Sequence, residues 1–529
     1  MTNVNFDILK KNIKLKNKII YYKKYLPILS KELNRIHNTQ HNLKYWEIVV
    51  GPWLMFFIST IEFIYLNQEK DNVKKTDTLL VPYGYRDFAL LTQQNYDYIS
   101  SLKTFVNNKE QVVKYLISKE VKKEFIIKKI LSKIYSYVSM KLISFSKIII
   151  VDSYFSFFSI FKLLIYSKLK IIPLKFSNSL KLKNFKINLN IRDNIIIKNK
   201  DPLDQVDEIL TEILPYQIPF AYIEDYKNLV NLIPKKILTK KQIIFSSVGW
   251  QENELFKLYC AESFSRRKVI LVGYQHGGFP YGMGDSPIAQ IEKNLVDKYL
   301  TWGWSQELND VKFFSIKISK INNLLQNAAY KNYKQVLFIS TCGSYFFPEG
   351  YAVPSGKDWN KYYSDQQFFF KYLNKNVEKD VKIRMHPDDY RFNNIQKRNF
   401  ESINNALKYD KNPHLIKTLL KTKLVILDHL YTIFLETLGS NIPTIIFIDE
   451  ATWQVNSNFY STYQKLKKAN IIHSSPKSAA NFINNNFSNI EEWWSSDNVV
   501  EALNDLQKNY IRLSNQPEKD LAEYLVQFD

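Results

Sequence analysis

The sequence predicts an α/β protein with two Rossmann-like domains facing a cleft, preceded by a helical region. Three observations carry that prediction. Short continuous apolar runs recur along the chain with helically spaced stretches between them, they fall into two series, and a polar, Asn-rich stretch at 305–332 divides the series. Apolar runs of about four to eight residues are the pattern of strands buried on both faces, and strands alternating with helices build parallel sheets. The predicted boundaries are 1–76 for the helical region, 77–310 and 311–490 for the two sheet domains, and 491–529 for a helical tail.

Residues 5–45 space apolar side chains three and four apart among lysines and read as helix. The next apolar stretch, Ile48 to Tyr65, contains Gly51-Pro52, so a second helix is predicted to begin near Trp53. That stretch is near the lower length limit for a membrane span and carries Glu62, which makes it a buried or interfacial helix. DTLLVPYGYRD (77–87) reads as a strand and turn, and 88–146 as mostly helical. The first strand series is KIIIVDSY (147–154), LKIIPLKF (169–176), KQIIFSSVGW (241–250), KVILVGYQ (268–275) and DKYLTWGW (297–304). The second is KQVLFIST (334–341), VKIRMHP (381–387), LVILDH (424–429) and IPTIIFID (442–449). Residues 485–529 read as helical, anchored by Trp493 and Trp494.

At 45% hydrophobic residues the chain has ample material for packed cores, which excludes wholesale disorder. The net charge of +22 admits nucleic acid, an anionic membrane or an anionic small molecule as partner. The lysines are dispersed, with no helix-turn-helix, RRM or zinc-finger pattern, so no nucleic-acid partner is expected. Lys-rich stretches at 10–24 and 119–133 alternate with Ile, Leu, Tyr and Phe, which fits peripheral contact with an anionic membrane. Cys260 and Cys342 are far apart and lack metal-ligand spacing, and MTNVNFDILKKNIKLKN has no signal-peptide apolar core. The expected location is therefore cytoplasmic, peripheral at the inner face of the membrane.

The richest segment is KVILVGYQHGGFPYGMGDSPIAQIEKNL (268–295), since five of the chain's 13 glycines lie between Gly273 and Gly284. A strand there delivers His276 onto a loop in which Gln275, Gly277 and Gly278 are candidates to offer backbone to an anion. An imidazole at a strand end can act as general base on a hydroxyl. Asp285 and Glu292 follow as further candidate bases or acceptor-orienting groups, and Asp152-Ser153 is another polar pair at a strand end. In VKIRMHP, Pro387 keeps His386 extended, and Arg384 lies two residues back on the same face. That pair suits a diphosphate, although Arg384 could equally pair with a local carboxylate; Asp388-Asp389 reads as a turn. In LVILDHLYTIFLETLG a strand ends at Asp428, and Thr432 and Glu436 lie four apart on the helix that follows. Thr432 could join the helix start in holding phosphate, and Glu436 could take ribose hydroxyls. No GxxxxGK[ST], GxSxG, HExxH, CxxC or DxD carboxylate cluster is evident, so metal-independent chemistry with no bound cofactor is expected.

Together, GPWL (51–54), YQHGGFPYG (274–282), TWGW (301–304), RMHPDD (384–389) and LDHLYTIFLETLGSNIPTIIF (427–447) resemble a family of bacterial transferases associated with surface-carbohydrate gene clusters. The resemblance spans about Trp46 to Trp494. More distantly the chain is similar to GT-B transferases, including capsular Kdo transferases and CDP-glycerol glycerophosphotransferases. The resemblance implies a GT-B-like fold and transfer of a sugar from a nucleotide-sugar co-substrate to a surface glycan or lipid-linked acceptor. By motif, His276 matches the HG histidine on the acceptor side, His386 the donor-phosphate histidine, and Asp428 to Glu436 the donor-binding segment. Thr432 and Glu436 stand where the glycerophosphotransferases tend to carry Ser and Asp, which favours a sugar nucleotide. Transfer of a polyol phosphate from a CDP-activated donor is the alternative reaction, and a non-catalytic envelope-assembly scaffold the alternative class.

Overall fold

The computed structural model describes residues 6–66, 78–94, 112–115, 147–176, 186–197, 201–233, 242–266, 269–326, 335–343, 353–387 and 394–528. The expectations for 95–111 and 116–146, including the Lys-rich stretch at 119–133, lie outside the described residues, as do Asp388 and Asp389. Contacts divide the chain into two compact units, and neither is one continuous segment. One comprises Asn12–His276, Pro287–Tyr299 and Glu518–Asp529; the other comprises Met1–Lys11, Gly277–Ser286 and Leu300–Pro517. The chain thus leaves the first unit between His276 and Gly277, inside the glycine-rich segment.

The unit containing His276 is built around a helix, Leu43–Leu66, that runs straight through Gly51-Pro52. Proline there removes one rung of the helical ladder, and the sequence reading placed a break at it. Burial on every side overrides that loss: Trp46, Trp53, Phe56 and Phe57 are fully buried, and the helix packs on Glu254–Arg266 and Pro287–Leu295. Gly51 is required by close approach, since a β-carbon there would lie 2.5 Å from the Tyr22 hydroxyl of the first helix, Phe6–His37. Glu62 is met by Lys18 at 3.3 Å, both almost wholly buried. Among the described residues this is the one helix long and apolar enough to cross a membrane, and 94% of its apolar window is buried inside the protein.

Strands β1 (Thr78–Val81) and β2 (Val112–Tyr115) form a small parallel pair; β2 falls in a region read as helical. The main strands are β3 (Ile148–Val151), β4 (Ile171–Leu174), β5 (Ile243–Ser246), β6 (Ile270–Tyr274), β7 (Lys298–Thr301) and β8 (Asp310–Lys312). They form a sheet in the order β4-β3-β5-β6-β7-β8. The pairs β3–β4, β3–β5 and β5–β6 are parallel, as the doubly buried apolar runs require. In this register Val151, Ser246 and Gly273 lie side by side, so the residues that follow emerge at one carboxyl edge.

The second sheet consists of β9 (Gln335–Ile339), β10 (Val381–Arg384), β11 (Lys408–Tyr409), β12 (Thr422–Leu427), β13 (Thr444–Phe447) and β14 (Ile472–His473). Its order is β11-β10-β9-β12-β13-β14, all parallel, with the two short edge strands unanticipated from sequence. Val336, Phe338, Ile383, Leu424, Ile426 and Phe447 fill one face against Phe369, Phe370, Phe400 and Ile483 of the covering helices. Each such side chain contributes roughly 1.5–3 kcal/mol when fully buried. Ile339 pairs with both Arg384 and Leu427, so Ser340, Met385 and Asp428 leave the sheet side by side. Strand order reverses at β9, which is where a doubly wound sheet opens a crevice for ligands. The Asn-rich 305–332 stretch holds β8 and a helix, Ile316–Gln326.

Candidate functional site

In the first unit, the carboxyl edge of β3, β5 and β6 gathers Asp152, Ser153, Tyr154, Ser247 and His276. Asp152 and Tyr154 hold φ values of 43° and 61°, a region that side-chain-bearing residues adopt only when the surroundings enforce it. The enforcement is visible: the Asp152 carbonyl accepts the N–H groups of Ser247 and Val248 at 3.3 and 3.2 Å. Its carboxylate accepts from Asn253 Nδ2 at 2.9 Å, and Ser247 Oγ donates to the Ser153 carbonyl. Burial raises the Asp152 carboxyl above its usual range, opposed by the Asn253 hydrogen bond. His276 is half-buried, and its ring stacks 6.1 Å from that of Tyr154, with 14° between the planes. Burial pushes His276 down to about 4, against a hydrogen bond to the Ser247 backbone, so it is a neutral imidazole near pH 7. Gln275 is fully buried. Glu292 is 1% exposed and accepts from Gln251 Nε2 at 2.5 Å, so its carboxylate faces the interior and not a hydroxyl acceptor.

The glycine loop belongs to the other unit. Gly278 donates its N–H to Thr432 Oγ1 at 3.1 Å, and a β-carbon on Gly278 would lie 2.7 Å from Thr432 Cα and 2.9 Å from its N. Phe279 packs edge-on against Trp453 at 5.9 Å, Asn456 donates its N–H to the Met283 carbonyl, and Gly284 bridges Val455. Gly278 was expected to show its N–H to a phosphate; the structure commits that N–H to Thr432, and the missing side chain is what admits the contact. Asp285, half-buried on the same loop, has its carboxyl raised by burial.

The loop docks beside the reversal point of the second sheet. Asp428, at the end of β12, is 2% exposed; its Oδ2 accepts from Gln366 Nε2 and its Oδ1 meets His429 Nδ1, both at 2.7 Å. Gln366 also donates to Ser340 Oγ at 2.9 Å and accepts from Asn399 Nδ2 at 2.6 Å. A buried amide thus fixes the carboxylate, and the carboxylate fixes an imidazole. Tyr431, Trp453 and His429 form an aromatic group around it, with ring separations of 4.9–6.4 Å. Thr432 opens an eight-residue helix, Thr432–Gly439, whose N-terminus has no side-chain cap.

Arg384 takes the local option: Nη1 donates to Asp410 Oδ2 at 2.5 Å and to the Asn412 carbonyl at 2.9 Å. A guanidinium held this way is half engaged, not free for a diphosphate. His386 is partly exposed at the same edge, its N–H directed to Gln396 Oε1 at 3.3 Å. Glu436, one turn into the helix, is 2% exposed, and its Oε1 is paired with Lys317 Nζ at 2.6 Å. One unit therefore brings Arg384, His386, Asp428 and Thr432 to one sheet edge, with Gly277, Gly278 and Asp285 on the loop, while Gln275, His276 and Glu292 lie in the other. Sequence reasoning missed His429, although it adjoins Asp428, and Gln366, whose place 62 positions away no motif could signal.

The model of the LIC12162 family transferase matches residues 5–525. This chain belongs to that transferase family. No curated protein matches it. Among solved structures, the family member is similar to S. aureus MnaA bound to UDP, at 10% identity and a TM-score of 0.40, over 72% of this chain and 96% of that one. A UDP-N-acetylglucosamine 2-epimerase is similar at 8% identity and a TM-score of 0.35, over 72% and 94%. WaaG, a glycosyltransferase involved in lipopolysaccharide biosynthesis, is similar at 10% identity and a TM-score of 0.30, over 72% and 99%. These likenesses are remote, and the α/β architecture of the family member stands on its own strand order and register.

Proposed function

We propose that this transferase moves a glycosyl group from a nucleotide-activated donor to a hydroxyl of a cell-surface glycan or lipid-linked acceptor. The observation that carries the reading is the group at the reversal point of the second sheet: Asp428 and His429 ordered by Gln366, beside Thr432 at an uncapped helix start. Nucleotides bind at such reversal points, with phosphate on helix N-termini. Thr432 Oγ1 accepts from Gly278, which leaves its own O–H to donate to a phosphate oxygen. These donors, with His386, stabilise negative charge as it develops on the departing nucleotide. Glu436 with Lys317 forms the ribose end. On the acceptor side, neutral His276 takes the hydroxyl proton as the glycosyl bond forms; Asp285, with its raised carboxyl, is the second candidate base. No metal or bound cofactor is assigned a role, and turnover unaffected by chelator checks that.

The test is thermal stabilisation by a panel of CMP, CDP, UDP, GDP, their sugars and CDP-glycerol. One nucleotide class should raise the melting temperature, because a ligand of the native state stabilises it by about 2.7 kcal/mol at 100 times its Kd. Asp428→Asn should reduce that shift, and His276→Ala should keep the shift while losing turnover. No shift with any nucleotide would overturn the reading in favour of a scaffold, and a shift with CDP-glycerol alone would replace sugar by polyol phosphate.

A further inference from the structure

The helix Phe157–Tyr166 leaves its largest apolar side chains in water. Phe157, Phe158, Phe161 and Ile165 are 78%, 73%, 53% and 55% exposed. At about 100° per residue these four fall within one arc of about 100°. Ser159 and Leu163, on the opposite face, are buried, and Ser159 Oγ donates to Glu518 Oε1 at 3.0 Å. The apolar face therefore points outward by construction, with the helix fixed beneath by its N-cap Ser156 and by Glu518. At its exit Lys168 and Leu169 hold φ values of 52° and 62°, and that turn leaves Leu169 71% exposed between Lys168 and Lys170. Tyr154, 74% exposed and stacked on His276, continues the apolar surface.

We infer that this face docks on an anionic lipid bilayer. Aromatic and aliphatic side chains on one side of a helix, rimmed by Lys162, Lys168 and Lys170, are the pattern of a helix lying in the membrane interface. The exposed lysines complement anionic headgroups. They also argue against a second copy of the chain as occupant, because self-docking would bring the same lysines together. The docking helix sits next to the acceptor-side histidine, so the acceptor it serves is lipid-borne; that consequence rests on the transfer reading above, whereas the docking does not.

The test is co-sedimentation of the full chain with vesicles of phosphatidylcholine, with and without phosphatidylglycerol, beside sedimentation of the chain alone. The wild type should bind the phosphatidylglycerol vesicles, and more weakly as salt rises. A Phe157→Ser, Phe158→Ser, Phe161→Ser variant should bind at least about tenfold more weakly with an unchanged melting temperature, since these side chains fill no core. Lys168→Glu, Lys170→Glu should weaken binding at low salt only. Wild type left in the supernatant, a triple variant bound as tightly, or a wild-type dimer that the triple variant breaks would each overturn the docking. Nucleotide-induced stabilisation of a protein that ignores vesicles would leave the transfer reading standing and remove this one.

Discussion

Gly278→Ala is the substitution that most directly tests how the glycine loop serves the site. The added methyl would lie 2.7 Å from Thr432 Cα, about 0.7 Å inside ordinary contact, and 2.9 Å from Thr432 N. Both are backbone atoms of a helix start, so the loop must move and not the helix. Overpacking costs about 1–3 kcal/mol, and stretching the 3.1 Å bond from Gly278 N–H to Thr432 Oγ1 forfeits about 1 kcal/mol more. A loss of about 3 kcal/mol in the docked state corresponds to about a hundredfold in any affinity that needs it. The assay is isothermal titration with the nucleotide found in the thermal screen, alongside the melting temperature. Gly277→Ala is the control: the nearest neighbours of its β-carbon would be the Tyr281 ring edge at 3.0 Å and Thr432 Oγ1 at 3.9 Å, side-chain atoms and not backbone, so it should cost under about 1 kcal/mol. Thr432→Val separates the two terms, because it removes the acceptor without the overlap, and Thr432→Ser should restore it. A Gly278→Ala protein with wild-type melting and wild-type nucleotide affinity would refute the claim that this contact builds the donor site.

Two further outcomes follow from buried groups. Gln366→Leu should destabilise the second sheet's unit by about 1–3 kcal/mol and weaken nucleotide binding, because it removes one buried partner each from Asp428, Ser340 and Asn399; chemical denaturation with unchanged midpoint would contradict it. His37, His276 and His473 are each pushed by burial from 6.5 to about 4. The unfolded chain binds protons on them first as pH falls. The stability they confer is whole above about pH 6.5 and drains away toward about pH 4, by on the order of 1 kcal/mol each at pH 5.5. A melting temperature flat from pH 7 to pH 5 would refute the assignment, and turnover dependent on His276 should not show a loss centred near 6.5.

The sequence by itself determined the α/β class, the nine main strands and the places where polar residues leave them. Those properties depend on local apolar runs and on residues such as Pro387 and Gly439 that act on their own neighbourhood. It could not determine that the helix through Pro52 continues, because burial by distant helices outweighs a lost backbone bond. Nor could it assign Gly277 and Gly278 to a different unit from His276, since that rests on a β-carbon's worth of space between Gly278 and Thr432, 154 positions on. The short edge strands, the Asp410 partner of Arg384 and the Gln366 that orders Asp428 were hidden for the same reason. Periodicity reports which side of an element is buried. Only the tertiary structure decides which partner buries it, and at Asp428 that partner is Gln366, 62 positions away.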